Sequence, residues 1–278
     1  GVSAIVSAFP SLLEHRVGLG LALVFLIMMI NLRGTRESAS VLAIPTYGFL
    51  VCFAVLIVYG FYRIYSGDIT PLAHPNLPTT EVLPMLPLLL GLRAFSSGCT
   101  ALTGIEAISN AVPSFQAPES KNARTTLLMM AAILSTIFLS LTLLAYHLGV
   151  MPDAQETVVS QIARGVFGTS PMYYAIQAAT ALILIVAANA SYAGFPWLAA
   201  LLAKDRYLPR QFAVLGDKLV YSNSIIGLSI AAGGLIVLFG GETHSLIPLY
   251  AVGVFLGFTL SQAGMLGHHL RSRRPGWR

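Results

Sequence analysis

Long apolar runs separated by short polar turns make up most of the chain. A helix needs about 20 apolar residues to cross the hydrocarbon core of a membrane, and most of the runs approach or exceed that length. Residues 1–9 are also apolar, but they are too few to span and are interpreted as the end of a truncated helix. The pattern predicts seven complete transmembrane helices, at residues 17–31, 41–64, 88–111, 125–150, 172–202, 222–240 and 245–267.

The composition agrees with a polytopic all-α membrane protein. Of the 278 residues, 56% are hydrophobic and only 10% are charged, whereas about a quarter of an average soluble domain is charged. The mean hydropathy is +0.77. The chain is therefore expected to have membrane lipid as its surroundings, and we interpret it as an internal piece of a longer protein.

The basic residues predict the orientation of the helices. Cytoplasmic loops of membrane proteins carry an excess of Lys and Arg. One set of alternate loops, together with the C-terminal end, holds 12 of the 16 basic residues, and this side is predicted to be cytoplasmic. The net charge of +5 follows from these loops, so no nucleic-acid partner is expected. The 12 residues are Arg33, Arg36, Lys121, Arg124, Lys204, Arg206, Arg210, Lys218, Arg271, Arg273, Arg274 and Arg278.

One segment between spans is predicted to form a helix of its own. Residues 152–171 are too polar to span, but four apolar residues fall on one face of a helical projection. The pattern indicates a surface helix at this point. The four residues are Val158, Val159, Ile162 and Val166.

Residues 88–115 contain the strongest candidate for a functional site. Glu106 is the only acidic residue in a strongly apolar segment of the sequence, and a charge at the bilayer centre costs about 3 kcal/mol on insertion scales. An ion pair with Arg93 is the structural alternative, but along a continuous helix the two residues would lie about 20 Å apart. Glycine, hydroxyl and amide residues surround Glu106, and broken helices of this kind form the substrate sites of secondary transporters.

Two further residues are candidates for the same site. Thr103 precedes Glu106 by three positions, so on a helix the two would share a face, and on an unwound segment they could bind one cation. A threonine bonded to its own helix is an equally good interpretation. Tyr250 stands near the start of the last span, where an interfacial tyrosine is the more common case.

The sequence contains no motif typical of an enzyme. The patterns H-E-x-x-H, G-x-S-x-G and the P-loop are absent. Cys52 and Cys99 both lie in apolar spans and are interpreted as small core residues. The chain is therefore not expected to be an enzyme, and no cofactor is expected.

Several motifs resemble the amino acid–polyamine–organocation (APC) transporter superfamily. The resemblance rests first on TALTGIEAISN at 100–110 and on PSFQAPESKNA at 113–123. It continues through NLRGTRESA, AKDRYLPRQF and LYAVGVFLGFTLSQAGM, so it covers essentially the whole chain. Within the superfamily, the sequence is most similar to KimA-type potassium importers, a branch often labelled as amino acid permeases.

The resemblance implies a fold and a site. Residues 1–278 would form part of the transmembrane domain, from the end of the third helix through the tenth, in a five-plus-five inverted repeat. Thr103, Glu106 and Tyr250 would fall on potassium-site positions, with Thr103 and Glu106 as metal ligands. The first helix, which supplies the other half of the site, would lie outside this sequence, as would a cytosolic nucleotide-binding domain.

The implied function is potassium uptake across the plasma membrane, coupled to protons. An amino acid permease is the alternative among transporters, although the small residues at 96–100 suit a bare cation better than an amino acid. A seven-span receptor is the alternative from another class, and the buried acid in a glycine-broken helix argues against it. A homodimer of the full-length protein stays an open prediction.

Overall fold

The computed structural model describes residues 1–34, 39–67, 86–99, 115–151, 153, 155–216 and 220–272, together with Gly104, Ile108 and Val112. Within its helices, the side chains of residues 39–41, 86–87, 93, 99, 244 and 272 are not described. Thr103 and Glu106 therefore lie outside the described residues, as does the segment 68–85.

All regular elements of the described part are helices, as the hydrophobic pattern predicts. Short 3₁₀ helices at Pro10–His15 and Arg210–Ala213 accompany nine α-helices among the described residues. In chain order these are α1 Val2–Ala8, α2 Arg16–Leu32, α3 Ala39–Ser66, α4 Leu86–Cys99, α5 Glu119–Leu148, α6 Val158–Phe167, α7 Pro171–Lys204, α8 Ser222–Leu238 and α9 Thr243–Ser272.

Five helical segments of the described chain are long and apolar enough to cross a membrane. They are Pro10–Leu32, Leu42–Ser66, Glu119–Leu148, Pro171–Lys204 and Ser245–Arg271, and they correspond to five of the seven predicted spans. The predicted span at 222–240 corresponds to helix α8, which is apolar but has 17 residues, one fewer than the 18 needed to be counted among the five. In the predicted span at 88–111, the described helix α4 ends at Cys99.

The helices face surroundings that must be apolar. Large hydrophobic side chains are exposed along several spans, including Ile44 at 75%, Val58 at 70% and Ile230 at 70%. Such surfaces are unfavourable in water over the length of a helix, and they suit the hydrocarbon core of a bilayer. This exposure is what the predicted lipid environment requires.

The chain divides into two compact units. The first comprises residues 1–75 and 124–241, and the second comprises residues 76–123 and 242–278. The second unit contains α4 and α9, which contact each other. The remaining helices belong to the first unit, except for the first residues of α5, because residues 119–123 fall in the second unit.

The main core of the first unit lies where four helices meet. Helices α3, α5, α6 and α7 each contribute buried residues to it. Glycines on α3 and α6 let these two helices approach α5 closely. A Cβ atom at Gly60 would lie 2.8 Å from Leu144 Cδ2, and one at Gly165 would lie 3.0 Å from Leu148 Cδ2. The buried residues of this core are Phe53, Leu56, Leu144, Leu148, Ile162, Ala163, Val166, Tyr173 and Ile176.

Helix α6 confirms the predicted surface helix and shows what its apolar face contacts. The sequence predicts a surface helix between 152 and 171, and α6 occupies Val158–Phe167 within that range. Its apolar face packs on the core of the first unit, where Ile162 is 0% and Val166 is 1% exposed. Val158 and Arg164 are exposed, so the helix lies at the surface of the unit with its apolar face on protein. An interfacial helix with Ile162 and Val166 facing lipid does not fit this packing.

A second, smaller core joins α2, α7 and α8. Ile27, Tyr192 and Ile225 are buried together there. A Cβ atom at Gly20 would lie 3.2 Å from Ile236 Cγ2, so the absence of a side chain lets α2 and α8 approach closely. Small residues at helix interfaces are a general means of tight packing in membranes.

Candidate functional site

Gly104 lies in the predicted site segment, where the sequence indicates a broken helix. The described part of helix α4 extends to Cys99, and Gly104 has a φ of +101°. An α-helix has φ near −63°, so Gly104 cannot lie within a regular helix, and a residue with a side chain would be strained there. The Ile108 N–H donates a hydrogen bond to the Gly104 carbonyl at 3.4 Å.

Gly104 stands between the two predicted ligands in the sequence. Thr103 precedes it directly and Glu106 follows it by two positions, and both lie outside the described residues. The described part of the segment is therefore compatible with an interrupted helix, while the geometry of the two ligands stays a prediction.

Tyr250, the third predicted site residue, lies on α9 in the same unit as α4. Its side chain is 39% exposed, and the neighbouring Ala251 is buried. Pro248 lies two residues earlier within the helix. The meeting of Tyr250 with Thr103 and Glu106 in one site remains a prediction, because two of the three residues are outside the described part.

We expect Tyr250→Phe to raise the apparent KM for potassium while the protein stays folded, because the change removes only a hydroxyl that would border the site. Net contributions of single hydrogen bonds are about 0.5–1.5 kcal/mol, which corresponds to an increase of about 2- to 12-fold. The measurement is uptake of radioactive rubidium at varied potassium concentration by the full-length protein. Tyr47→Phe, on an exposed part of α3, is the control. An unchanged KM would indicate an interfacial tyrosine.

The first unit contains a connected polar cluster that the sequence does not reveal. Glu156 Oε2 lies 2.7 Å from Arg164 Nη2, and Glu156 Oε1 accepts a hydrogen bond from Ser160 Oγ at 2.7 Å. The Ser160 and Tyr173 hydroxyls are 2.8 Å apart. Tyr173 Oη then donates to the carbonyl oxygen of Ser7 at 3.0 Å. We call these five residues the α6 network; it links α6 to α7 and α1.

The two ends of α6 are fixed by further polar contacts. At the start of the helix, Thr157 accepts a hydrogen bond from the Ser160 N–H at 3.2 Å, which is a standard N-terminal cap. At the other end, Arg63 of α3 donates to the Val166 carbonyl at 2.7 Å and to the Gly165 carbonyl at 3.3 Å. A cation near the C-terminus of a helix is favourable because it opposes the partial negative charge there.

Polar pairs also join other helices of the first unit. Asn31 Nδ2 donates to Asn189 Oδ1 at 2.6 Å and so connects α2 to α7. The hydroxyls of Tyr192 and Ser229 are 2.8 Å apart and connect α7 to α8. Asn189 is recognisable in the sequence as a polar residue in an alanine-rich span. Its partner Asn31 lies 158 residues away, and no local pattern predicts their pairing.

Comparison with known proteins gives two findings. The model of the family described as "Amino acid permease" matches residues 1–278. The curated relative "Potassium transporter KimA" of Bacillus subtilis (strain 168) is 51% identical over 277 residues. The alignment covers 100% of this chain and 46% of that relative, so the chain spans about half the length of the curated protein that it matches.

Family membership agrees with the resemblance seen in the sequence motifs and with the helical, apolar architecture. A match over the full chain also favours a transporter over the seven-span receptor that the number of spans allows. The chain therefore belongs to the amino acid permease family of the APC transporter superfamily.

Proposed function

We propose that the full-length protein containing this chain takes up potassium across the plasma membrane and couples the uptake to protons. The observation that carries this proposal is the 51% identity to a protein named as a potassium transporter, over the whole of this chain. The chain would supply one half of the ion site, and a helix outside this sequence would supply the other half.

The chemistry of residues 96–110 supports a cation as substrate. Ser96, Ser97 and Thr100 offer oxygen atoms and little bulk, and Glu106 offers a negative charge. Gly104, which stands between Thr103 and Glu106 in the sequence, has a positive φ that a regular helix does not allow. Carbonyl groups freed from helical hydrogen bonds where a helix is interrupted can coordinate ions at mid-membrane. Potassium is the cargo in this proposal, and no resident cofactor is needed.

The proposed orientation follows from the charge distribution. Lys204 at the end of α7, Arg206 after it and Arg210 in the following 3₁₀ helix are exposed, on the side that carries most of the basic residues. By the positive-inside rule this side is cytoplasmic, and so is the end of α9. The α6 network would then lie toward the external side.

An amino acid permease remains the second candidate because the family takes its description from that activity. An amino acid substrate needs a group for its carboxylate, commonly the exposed N–H groups of a broken helix. A cation needs oxygen atoms and a negative charge instead. The charge of Glu106, together with the small, oxygen-bearing residues at 96–100, favours the cation.

Expression of the full-length protein in bacteria that lack their own potassium uptake tests the proposal. We expect growth on limiting potassium to be restored and radioactive rubidium to accumulate. Cells carrying the empty vector are the control for background uptake. Normal membrane expression without any gain in growth or in rubidium uptake would contradict the proposal.

A further inference from the structure

One buried side chain of the first unit has no hydrogen-bond partner among the residues that the structure describes. Gln177 on α7 is 2% exposed, and neither its Oε1 nor its Nε2 atom has a hydrogen bond with any residue that the structure describes. Buried amides are almost always hydrogen-bonded, because removing them from water without replacing their bonds is unfavourable. The surroundings of Gln177 therefore require a ligand.

Two contacts between α7 and α1 flank Gln177, one on each side along α7. One turn before it, Tyr173 Oη donates to the Ser7 carbonyl. One turn after it, the Ala181 carbonyl lies 3.4 Å from the position that a Cβ atom on Gly1 would occupy. Residues four apart on a helix share a face, so the amide of Gln177 points along the α1–α7 contact.

The chemistry of the two unpartnered atoms identifies the ligand. Oε1 can only accept hydrogen bonds, and Nε2 can only donate them. A cation would satisfy Oε1 but leave the N–H groups unpaired, and an anion would do the reverse. Water both donates and accepts, and buried water commonly pairs otherwise unsatisfied groups with about three hydrogen bonds.

We infer that Gln177 binds ordered water between α1 and α7. Gln177 lies one helical turn after Tyr173, which is the member of the α6 network on α7. The inference is independent of the transported substrate.

A matched pair of buried glutamines tests the inference. Gln161 on α6 is 3% exposed, and its Nε2 atom donates to the Met151 carbonyl at 2.9 Å, so its amide is already paired within the protein. Methionine has nearly the same shape as glutamine and cannot form these hydrogen bonds. The measurement is the thermal unfolding midpoint of the full-length protein in detergent, for Gln177→Met, Gln161→Met and the unchanged protein.

If water is hydrogen-bonded to the Gln177 amide, Gln177→Met removes those bonds, and we expect it to lower the unfolding midpoint by about 2–4 °C. We expect a similar decrease for Gln161→Met. An unchanged or raised midpoint for Gln177→Met alone would overturn the inference, because removing a truly unpaired amide relieves a cost. A cryo-electron microscopy map that resolves ordered water gives the second test. Water density within hydrogen-bonding distance of both amide atoms supports the inference, and a polar side chain from another part of the protein in that place overturns it.

Discussion

Glu106→Gln should abolish the pH dependence of potassium uptake and strongly reduce the uptake itself. A carboxylate can bind either a proton or a potassium ion through its charge, so the two cations compete for one group. Competition of this kind is a coupling free energy between ligands, typically about 1–3 kcal/mol, or about 5- to 150-fold in affinity. Glutamine keeps the shape and most hydrogen bonds of the acid, but it cannot ionise.

Rubidium uptake against external pH measures this effect in the full-length protein, with the amount at the cell surface determined in parallel. Glu14→Gln is the matched control, because Glu14 is an exposed acid in the Pro10–His15 helix and the chemical change is the same. We expect the control to keep the original pH profile. Uptake by Glu106→Gln with an unchanged rate and pH profile would assign Glu106 a structural role.

Ile162→Ala should destabilise the protein by about 2–5 kcal/mol. The Ile162 side chain is 0% exposed and belongs to the core formed by α3, α5, α6 and α7. Truncation leaves a cavity that four packed helices can close only in part. Val158→Ala is the control on the same helix, since Val158 is 40% exposed and its truncation leaves little empty volume.

Thermal unfolding in detergent compares the two variants. We expect a clear fall in the midpoint for Ile162→Ala and a small change for Val158→Ala. Equal and small changes in both would show that the apolar face of α6 is not packed on the core, and the helix would then be an interfacial helix with that face toward lipid.

The hydrophobic pattern was sufficient to locate most helices, because a membrane span is defined by its length and its apolar character alone. For helix α6, the hydrophobic pattern does not predict what the apolar face contacts. Periodicity identified its apolar face, but lipid and protein are equally apolar partners for such a face. Only the three-dimensional contacts of Ile162 and Val166 with neighbouring helices decide between them.

Polar residues inside the bundle were harder to interpret from the sequence. Tyr173 and Gln177 are one turn apart on α7, yet Tyr173 donates a hydrogen bond to the distant Ser7 carbonyl and Gln177 has no partner among the described residues. Their difference depends on contacts with α1 and α6, which no local pattern encodes. Glu106 was recognised because an acid in an apolar span is costly wherever its partners lie.

The most direct test of the proposed function is substrate competition in proteoliposomes that contain the purified full-length protein. Radioactive rubidium inside the vesicles is measured after addition of unlabelled potassium or of a mixture of amino acids. We predict that potassium suppresses rubidium accumulation, that amino acids leave it unchanged, and that an inward proton gradient increases it. A second set of vesicles receives labelled amino acids instead of rubidium. Accumulation of a labelled amino acid there, with no saturable rubidium uptake in the first set, would contradict the proposal that the full-length protein transports potassium.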